Sequence, residues 1–209
     1  ESAPENKVAA VKGYGSDITF CASTLEAREA TANEIIRQTG ATLIHPYNDP
    51  NIIAGQGTAA LELLEEVPDL DLLMAPVGGG GLISGTAIAA KGHSRELTVV
   101  AAEPEQADDA YRSFHQQRLI RDQSANTIAD GLRTTLGELT FSVIRAYVDD
   151  VVTVSESSII SEMRYLSERM KLVVEPSSTP PLAALTDVEF SRRLRAAGVK
   201  KVGILLSGG

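Results

Sequence analysis

The chain has 209 residues, 43% of them hydrophobic and 22% charged, with a formal net charge of −9, which is material for one globular domain or one and a fraction. That acidic balance excludes a nucleic-acid partner, because phosphate binding needs an excess of Lys and Arg on one face. No apolar run approaches the ~20 residues that cross a bilayer, no signal-peptide pattern opens the sequence, and a single cysteine, Cys21, leaves no intrachain disulfide; a cytoplasmic location is expected.

Short apolar strand-like runs alternate with longer helical patterns, which predicts an α/β fold with a parallel sheet flanked by helices. From the amino terminus onward, a strand is expected at 17–21, with Cys21 a buried core thiol rather than a nucleophile. A helix follows at 24–39, with apolar Leu25, Ala32, Ile35 and Ile36 and a stop at Gly40. Next come a strand at 42–45, a helix at 51–66, a strand at 70–76, a helix at 82–91 and a strand at 97–102. The stretch 119–138 has no clean period and reads as a loop with short helical turns. A strand at 150–154 precedes a helix at 157–171, for which Ser155 or Ser157 can serve as N-cap. A helix at 181–197, opened by proline, leads to a last strand at 202–206. Val, Ile and Leu without strict alternation suit a sheet buried on both faces.

Residues 1–45 hold too few elements for a core of their own. They are expected to be the remnant of a small domain, with 46–209 forming a larger, incomplete α/β domain. A start at Glu1 without Met and a stop at Gly209 directly after a strand read as a chain cut at both ends.

The strongest motif is Val77-Gly78-Gly79-Gly80-Gly81-Leu82-Ile83-Ser84-Gly85, placed between a buried strand and a helix. Four consecutive glycines cost backbone entropy. In return, bare amides converge on one small anion at the positive end of the following helix. The plain alternative is a tight turn with close helix–strand packing. The dinucleotide pattern G-x-G-x-x-G fails in every register, with Ile83, Ser84 or Leu82 where glycine is required. Glu103, about 20 residues on, still stands where a ribose-binding acid would sit. A Walker A pattern fails too, because Thr86-Ala87 replaces its lysine and hydroxyl residue. A single phosphate fits best.

That tetraglycine loop resembles the phosphate loop of fold-type II pyridoxal-phosphate enzymes, the tryptophan-synthase-β-like fold, and in particular the serine racemase and serine/threonine dehydratase family. Four further segments fit the same family in the same order. His45-Pro46-Tyr47-Asn48-Asp49-Pro50 with Ala54-Gly55-Gln56-Gly57-Thr58 is one. Thr127-Ile128-Ala129-Asp130-Gly131-Leu132 resembles a segment whose glycine, with a nearby hydroxyl (Thr134 or Thr135), faces the substrate. Glu175-Pro176-Ser177 resembles the segment beside the cofactor ring, although Ser177-Ser178-Thr179-Pro180-Pro181 departs from the small residues usual after Glu175-Pro176. Leu206-Ser207-Gly208-Gly209 resembles the turn whose serine hydroxyl meets the pyridine nitrogen. A neutral partner there leaves that nitrogen largely unprotonated and tempers the electron sink.

The resemblance implies cofactor contacts from Gly78, Gly79, Gly80, Gly81, Leu82, Glu175 and Ser207, and substrate contacts from Gly131 and Thr134. In the acidic stretch Glu103-Pro104-Glu105-Gln106-Ala107-Asp108-Asp109 it implies a divalent ion, Mg²⁺ or else Ca²⁺ or Mn²⁺. That ion would be held by the side chains of Glu103 and Asp109 and the carbonyl of Ala107. The plain alternative is a helix start decorated with acids. The resemblance also implies a homodimer acting on a small amino acid, serine or threonine, by racemisation or by elimination to a 2-oxo acid and ammonia.

The family's Schiff-base lysine setting, S-x-K-x-R-G-A, and its S-S-G-N-H loop do not occur. The six lysines (Lys7, Lys12, Lys91, Lys171, Lys200 and Lys201) read as surface or helix-end residues, so no catalytic residue is assigned. Arg28 lies either near the active-site mouth or on a solvated face. A non-catalytic fragment or pseudoenzyme that keeps the phosphate and metal sites is the second reading, and a nucleotide-binding module the third.

Overall fold

The computed structural model describes residues 3–121 and 125–208, and the chain divides into two units, Glu1–Ile44 and His45–Gly209. The smaller unit consists of α1 (Glu5–Gly13) and α2 (Leu25–Thr39). Thr24 caps α2 by accepting from the Ala27 amide at 3.1 Å, and Gly40 ends it in the left-handed conformation at φ 71°. α1 is not foreseen in the sequence. The strands expected at 17–21 and 42–45 are absent from the described residues. Their apolar residues have strand propensity, but a strand exists only where a neighbour completes its hydrogen-bond ladder. Cys21 is accordingly half-buried rather than a core thiol.

The larger unit is built on four parallel strands, β1 (Leu72–Pro76), β2 (Thr98–Pro104), β3 (Asp150–Val154) and β4 (Val202–Ile204), in the order β3-β2-β1-β4. Leu72 to Pro76 pair in register with Thr98 to Ala102, and Leu72 to Met74 with Val202 to Ile204. The strand period of two divides β1 between two cores. Leu73 and Ala75 pack with Ala60, Leu64, Ile83, Ala87 and Ile144 on one face. Leu72 and Met74 pack with Ile159, Ala183, Ala184 and Phe190 on the other. The first face is covered by α3 (Pro50–Glu66), α4 (Gly81–His93), α5 (Asp109–Gln116) and α6 (Glu138–Tyr147), the second by α7 (Glu156–Tyr165), α8 (Pro180–Thr186) and α9 (Val188–Ala196). α3 and α4 cross so closely that a Cβ on Gly85 would strike the backbone of Ile53 and Gly57. No helix of the described residues is long and apolar enough to cross a membrane.

Three boundaries depart from expectation. The helix expected at 181–197 is two, because the Asp187 carboxylate accepts from the amides of Glu189 (3.0 Å) and Phe190 (2.8 Å) and starts a new helix in mid-run. The helix expected to reach 171 loosens into a π turn, Leu166–Met170. α5 and α6 replace irregular chain around the acidic stretch and at the end of the expected loop. α6 takes its cap from Asn48, whose Oδ1 accepts from Leu139 (3.0 Å) and Thr140 (3.4 Å), a partner about ninety residues away that local sequence does not display. Within the expected loop, a single 3₁₀ turn, Asp130–Leu132, is formed among the described residues.

Candidate active site

In an open parallel sheet, ligands gather beyond the carboxyl ends of the strands where the strand order reverses. Here β1 leads outward to β2 and β3, while β4 returns to its other side, so the switch point lies between β1 and β4. The glycine run leaves β1 and the Ser207 turn leaves β4. A cavity of 290 Å³ opens there, lined by Gly78, Gly79, Gly80, Gly81, Leu82, Gly131, Thr134, Glu175 and Ser207, together with Tyr47, Gln56 and Ser177. The structure thus brings together every cofactor and substrate position expected from the sequence. Thr135 is not among the lining residues.

The glycines are required by space as well as by conformation. A Cβ on Gly78 would sit 3.0 Å from the Gly131 carbonyl oxygen, and one on Gly79 would enter the Tyr47 ring. Gly80 adopts φ 90° and begins α4 without any side-chain acceptor for the helix's first amides, which leaves their donors and the positive helix end to an outside anion. Two supports of this loop went unseen in the sequence. Thr140 donates its hydroxyl to the Gly79 carbonyl at 2.8 Å, and Tyr47 packs against the loop. His45 orders the Tyr47 turn by accepting from the amides of Tyr47 (3.3 Å) and Asn48 (2.9 Å) at Nδ1.

The opposite wall is tied together by hydrogen bonds. The Gly131 amide donates to Ser177 Oγ at 3.0 Å, and the Glu175 amide donates to the Gly208 carbonyl at 3.1 Å. Upstream, Arg133 donates twice to the Thr127 carbonyl, at 3.0 and 2.6 Å, and the Ile128 amide reaches Glu156 at 2.8 Å. Pro180 and Pro181 start α8, where missing amide protons cost nothing, so the unusual segment is accommodated.

The acidic stretch lies at the end of β2. Glu103 is wholly buried and accepts from the amides of Ala110 (3.4 Å) and Tyr111 (2.5 Å). Both its oxygens are thereby turned to the start of α5, not outward to a ribose, which removes the basis of the nucleotide reading. Asp109 is buried as well; one of its oxygens accepts from Leu136 at 2.8 Å, while Oδ1 has no hydrogen-bond partner. Burial, reinforced by the charge of Asp109, holds Glu103 well above the usual carboxylate range. Burial likewise pushes Asp109 up to about 7, against the opposing pull of the Leu136 amide. Among the described residues no three His, Cys, Asp or Glu side chains come together to hold a metal ion.

None of the lysines in His45–Gly209 lines the cavity. Lys91 bonds the Leu97 carbonyl (2.8 Å) and Asp149 (2.7 Å), Lys171 the Glu168 carbonyl (2.8 Å), and Lys201 pairs with Asp69. Lys200 is exposed, as is Arg28 on α2. A larger cavity of 820 Å³ lies over α3, α4 and α6. It is mostly apolar in lining, and no expected site residue borders it.

The family model for "Pyridoxal-phosphate dependent enzyme" matches residues 1–208. The chain belongs to that family. Among other members, a serine racemase of Dictyostelium discoideum is 48% identical, with all of this chain aligned to 64% of the relative. An L-threo-3-hydroxyaspartate ammonia-lyase of Saccharomyces cerevisiae is 45% identical over all of this chain and 63% of its own length. The solved structure of maize serine racemase superposes with a TM-score of 0.96 at 45% identity, covering all of this chain and 63% of that one. The chain therefore spans somewhat under two thirds of the length of these relatives. For a pyridoxal-phosphate dependent enzyme the cavity has the fitting parts: a loop with no room for any Cβ, a helix start without a side-chain cap of its own, and a serine, Ser207, in the same lining.

Proposed function

We propose that the whole protein binds pyridoxal 5'-phosphate in this cavity and acts on serine or threonine, racemising serine or eliminating water to yield a 2-oxo acid and ammonia. The observation that carries this reading is the convergence of the glycine loop, Gly131, Thr134 and Ser207 on one cavity at the switch point. The kinship with serine racemases and an ammonia-lyase supports the reaction class. When bound, pyridoxal phosphate supplies the electron withdrawal that makes the substrate's α-proton labile.

The chain's own part is to hold and orient. The amides around 78–82 hold the phosphate ester, helped by the end of α4. Ser207 donates to the pyridine nitrogen without charging it, Glu175 borders the ring, and Gly131 with Thr134 faces the substrate. The lysine for the Schiff base and proton transfer comes, in this proposal, from sequence outside these 209 residues. That no lysine of the larger unit lines the cavity favours a second reading for this polypeptide by itself, a non-catalytic fragment or pseudoenzyme that keeps the phosphate, cofactor and metal sites; release of a 2-oxo acid by these 209 residues alone would overturn it.

A divalent cation, Mg²⁺ or else Ca²⁺ or Mn²⁺, belongs to the proposal at Glu103, Asp109 and the Ala107 carbonyl. The unpartnered Asp109 oxygen beside a second buried carboxylate supports it, since two such groups cannot both ionise in low dielectric without a counter-charge. A homodimer in the cytoplasm completes the proposal on the strength of the resemblance; light scattering on the whole protein tests the dimer. The central test is the full-length protein with pyridoxal phosphate and L-serine or L-threonine. A long-wavelength cofactor absorbance with D-serine or a 2-oxo acid as product is expected. A folded protein with neither product overturns the reaction.

A further inference from the structure

We infer that Ser178 is a positioning residue for Ser207, acting through the carbonyl of Gly208. The inference rests on the reading of Ser207 as the partner of the pyridine nitrogen. The ladder of β4 ends at Ile204, and the Leu205 amide makes the last backbone tie to β1, at Met74. Beyond that point the chain has left the sheet. Ser207 is exposed, and among the described residues the hydrogen bonds that hold 206–208 both end on one atom, the Gly208 carbonyl oxygen. One comes from the Glu175 amide at 3.1 Å and the other from the Ser178 hydroxyl at 2.6 Å. Gly208 itself sits at φ 151°, a conformation that glycine takes without strain and side-chain-bearing residues rarely adopt, so the residue itself does little to fix the turn.

Nothing in its own turn requires Ser178 to have a hydroxyl. The Ser178 amide already donates to the Glu175 carbonyl at 3.0 Å, and an alanine would complete that 3₁₀ turn equally well. The side chain is fully buried, and a buried hydroxyl is unfavourable unless it is bonded. Its bond runs to a segment 30 residues away. Its neighbours lead elsewhere: Ser177 to Gly131 and Thr179 to the Ile159 carbonyl at 3.2 Å. The three hydroxyls of one short turn thus fasten three different segments, and the one at 178 fastens the segment with the ring-facing serine. Without it, among the described residues, the Glu175 amide is the remaining tie on the Gly208 carbonyl, and the Ser207 hydroxyl is spread over more orientations.

The experiment uses the full-length holoenzyme loaded with pyridoxal phosphate labelled with nitrogen-15 in the ring. The ring-nitrogen resonance and the cofactor Kd are read for wild type, Ser178→Ala, Ser178→Thr and Ser207→Ala. Ser178→Ala should move the resonance toward that of Ser207→Ala and weaken the Kd roughly 5- to 10-fold, the scale of one hydrogen bond. Ser178→Thr, which keeps the hydroxyl, should restore both. A wild-type resonance in Ser178→Ala, with Ser207→Ala shifted, overturns this inference and leaves the proposed function standing. An unshifted Ser207→Ala overturns the assignment of Ser207, and this inference with it. Should Ser178→Ala fail to fold, Ser178→Cys replaces it: a weaker donor should give an intermediate shift, and a wild-type resonance there overturns the inference.

Discussion

Two strand-to-helix junctions stand side by side at the carboxyl end of the sheet's two inner strands and treat their helix starts in opposite ways. After β1, Gly80 begins α4 with no side chain to receive its first amides. After β2, Glu103 reaches forward and receives the amides of Ala110 and Tyr111 at the start of α5. Each helix has the same unpaired donors and the same partial positive charge. The first leaves them for an anion from outside, and the second satisfies them with a carboxylate of its own. A helix start is therefore a ligand site only when the chain withholds its own acceptor. An acid placed just ahead of a helix can take up that helix's first free amides.

The contrast can be broken from either side. Gly79→Ala drives a methyl group into the Tyr47 ring, and it should raise the pyridoxal-phosphate Kd of the full-length protein more than about 100-fold, near 3 kcal/mol or above, with the fold retained by circular dichroism. Retention of cofactor at wild-type affinity would show that the loop is no anion site. Glu103→Ala strikes the other junction. It strips a buried amide, that of Ala110, and a part-buried one, that of Tyr111, of their acceptor and should lower stability by roughly 2–3 kcal/mol in urea melts, an effect much larger than the loss of a surface acid.

A gentler test uses pH. The folded state raises Asp109 to about 7 from an ordinary 3.8, so the folded protein keeps a proton that the unfolded chain has already released. The stability gained is fully present below pH 3.8 and disappears as pH rises through about 7. In the absence of divalent cations the Tm of the whole protein should fall by several degrees across that window. Saturating Mg²⁺ should flatten the fall, and Asp109→Asn should shrink the slope to the part that the buried Glu103 contributes and abolish the response to Mg²⁺. A slope that ignores Mg²⁺ would leave the acid pair without a cation to hold. Smallest in scale, Ser177→Ala frees the Gly131 amide from its 3.0 Å bond and should raise the KM for serine about 5-fold. An unchanged KM would detach that loop from the substrate.

Much of the site was legible because its chemistry is local. A run of glycines after an apolar strand can be read without knowing what surrounds it, and so can the order of the Thr127–Leu132, Glu175–Ser177 and Leu206–Gly209 segments. Illegible were the contributions defined by distance along the chain: Thr140 on the Gly79 carbonyl 61 positions away, Asn48 as the remote cap of α6, and the Gly208 carbonyl as the anchor of Ser178. Hydroxyls and amides of this kind look like ordinary surface polar residues until folding buries them against a partner.

The four strands of the larger unit follow from the sequence by itself, because continuous Val, Ile and Leu runs bury on both faces of a parallel sheet whatever their neighbours are. The start and stop of α2 follow likewise, since Thr24 and Gly40 act on adjacent backbone. Tertiary structure alone decided the rest. It denied strand pairing to 17–21 and 42–45, split 180–196 at a capping aspartate, and turned Glu103 inward. Pairing, capping over long separations and the charge state of a buried acid all depend on which groups meet in space, and proximity in space is what a linear pattern does not contain.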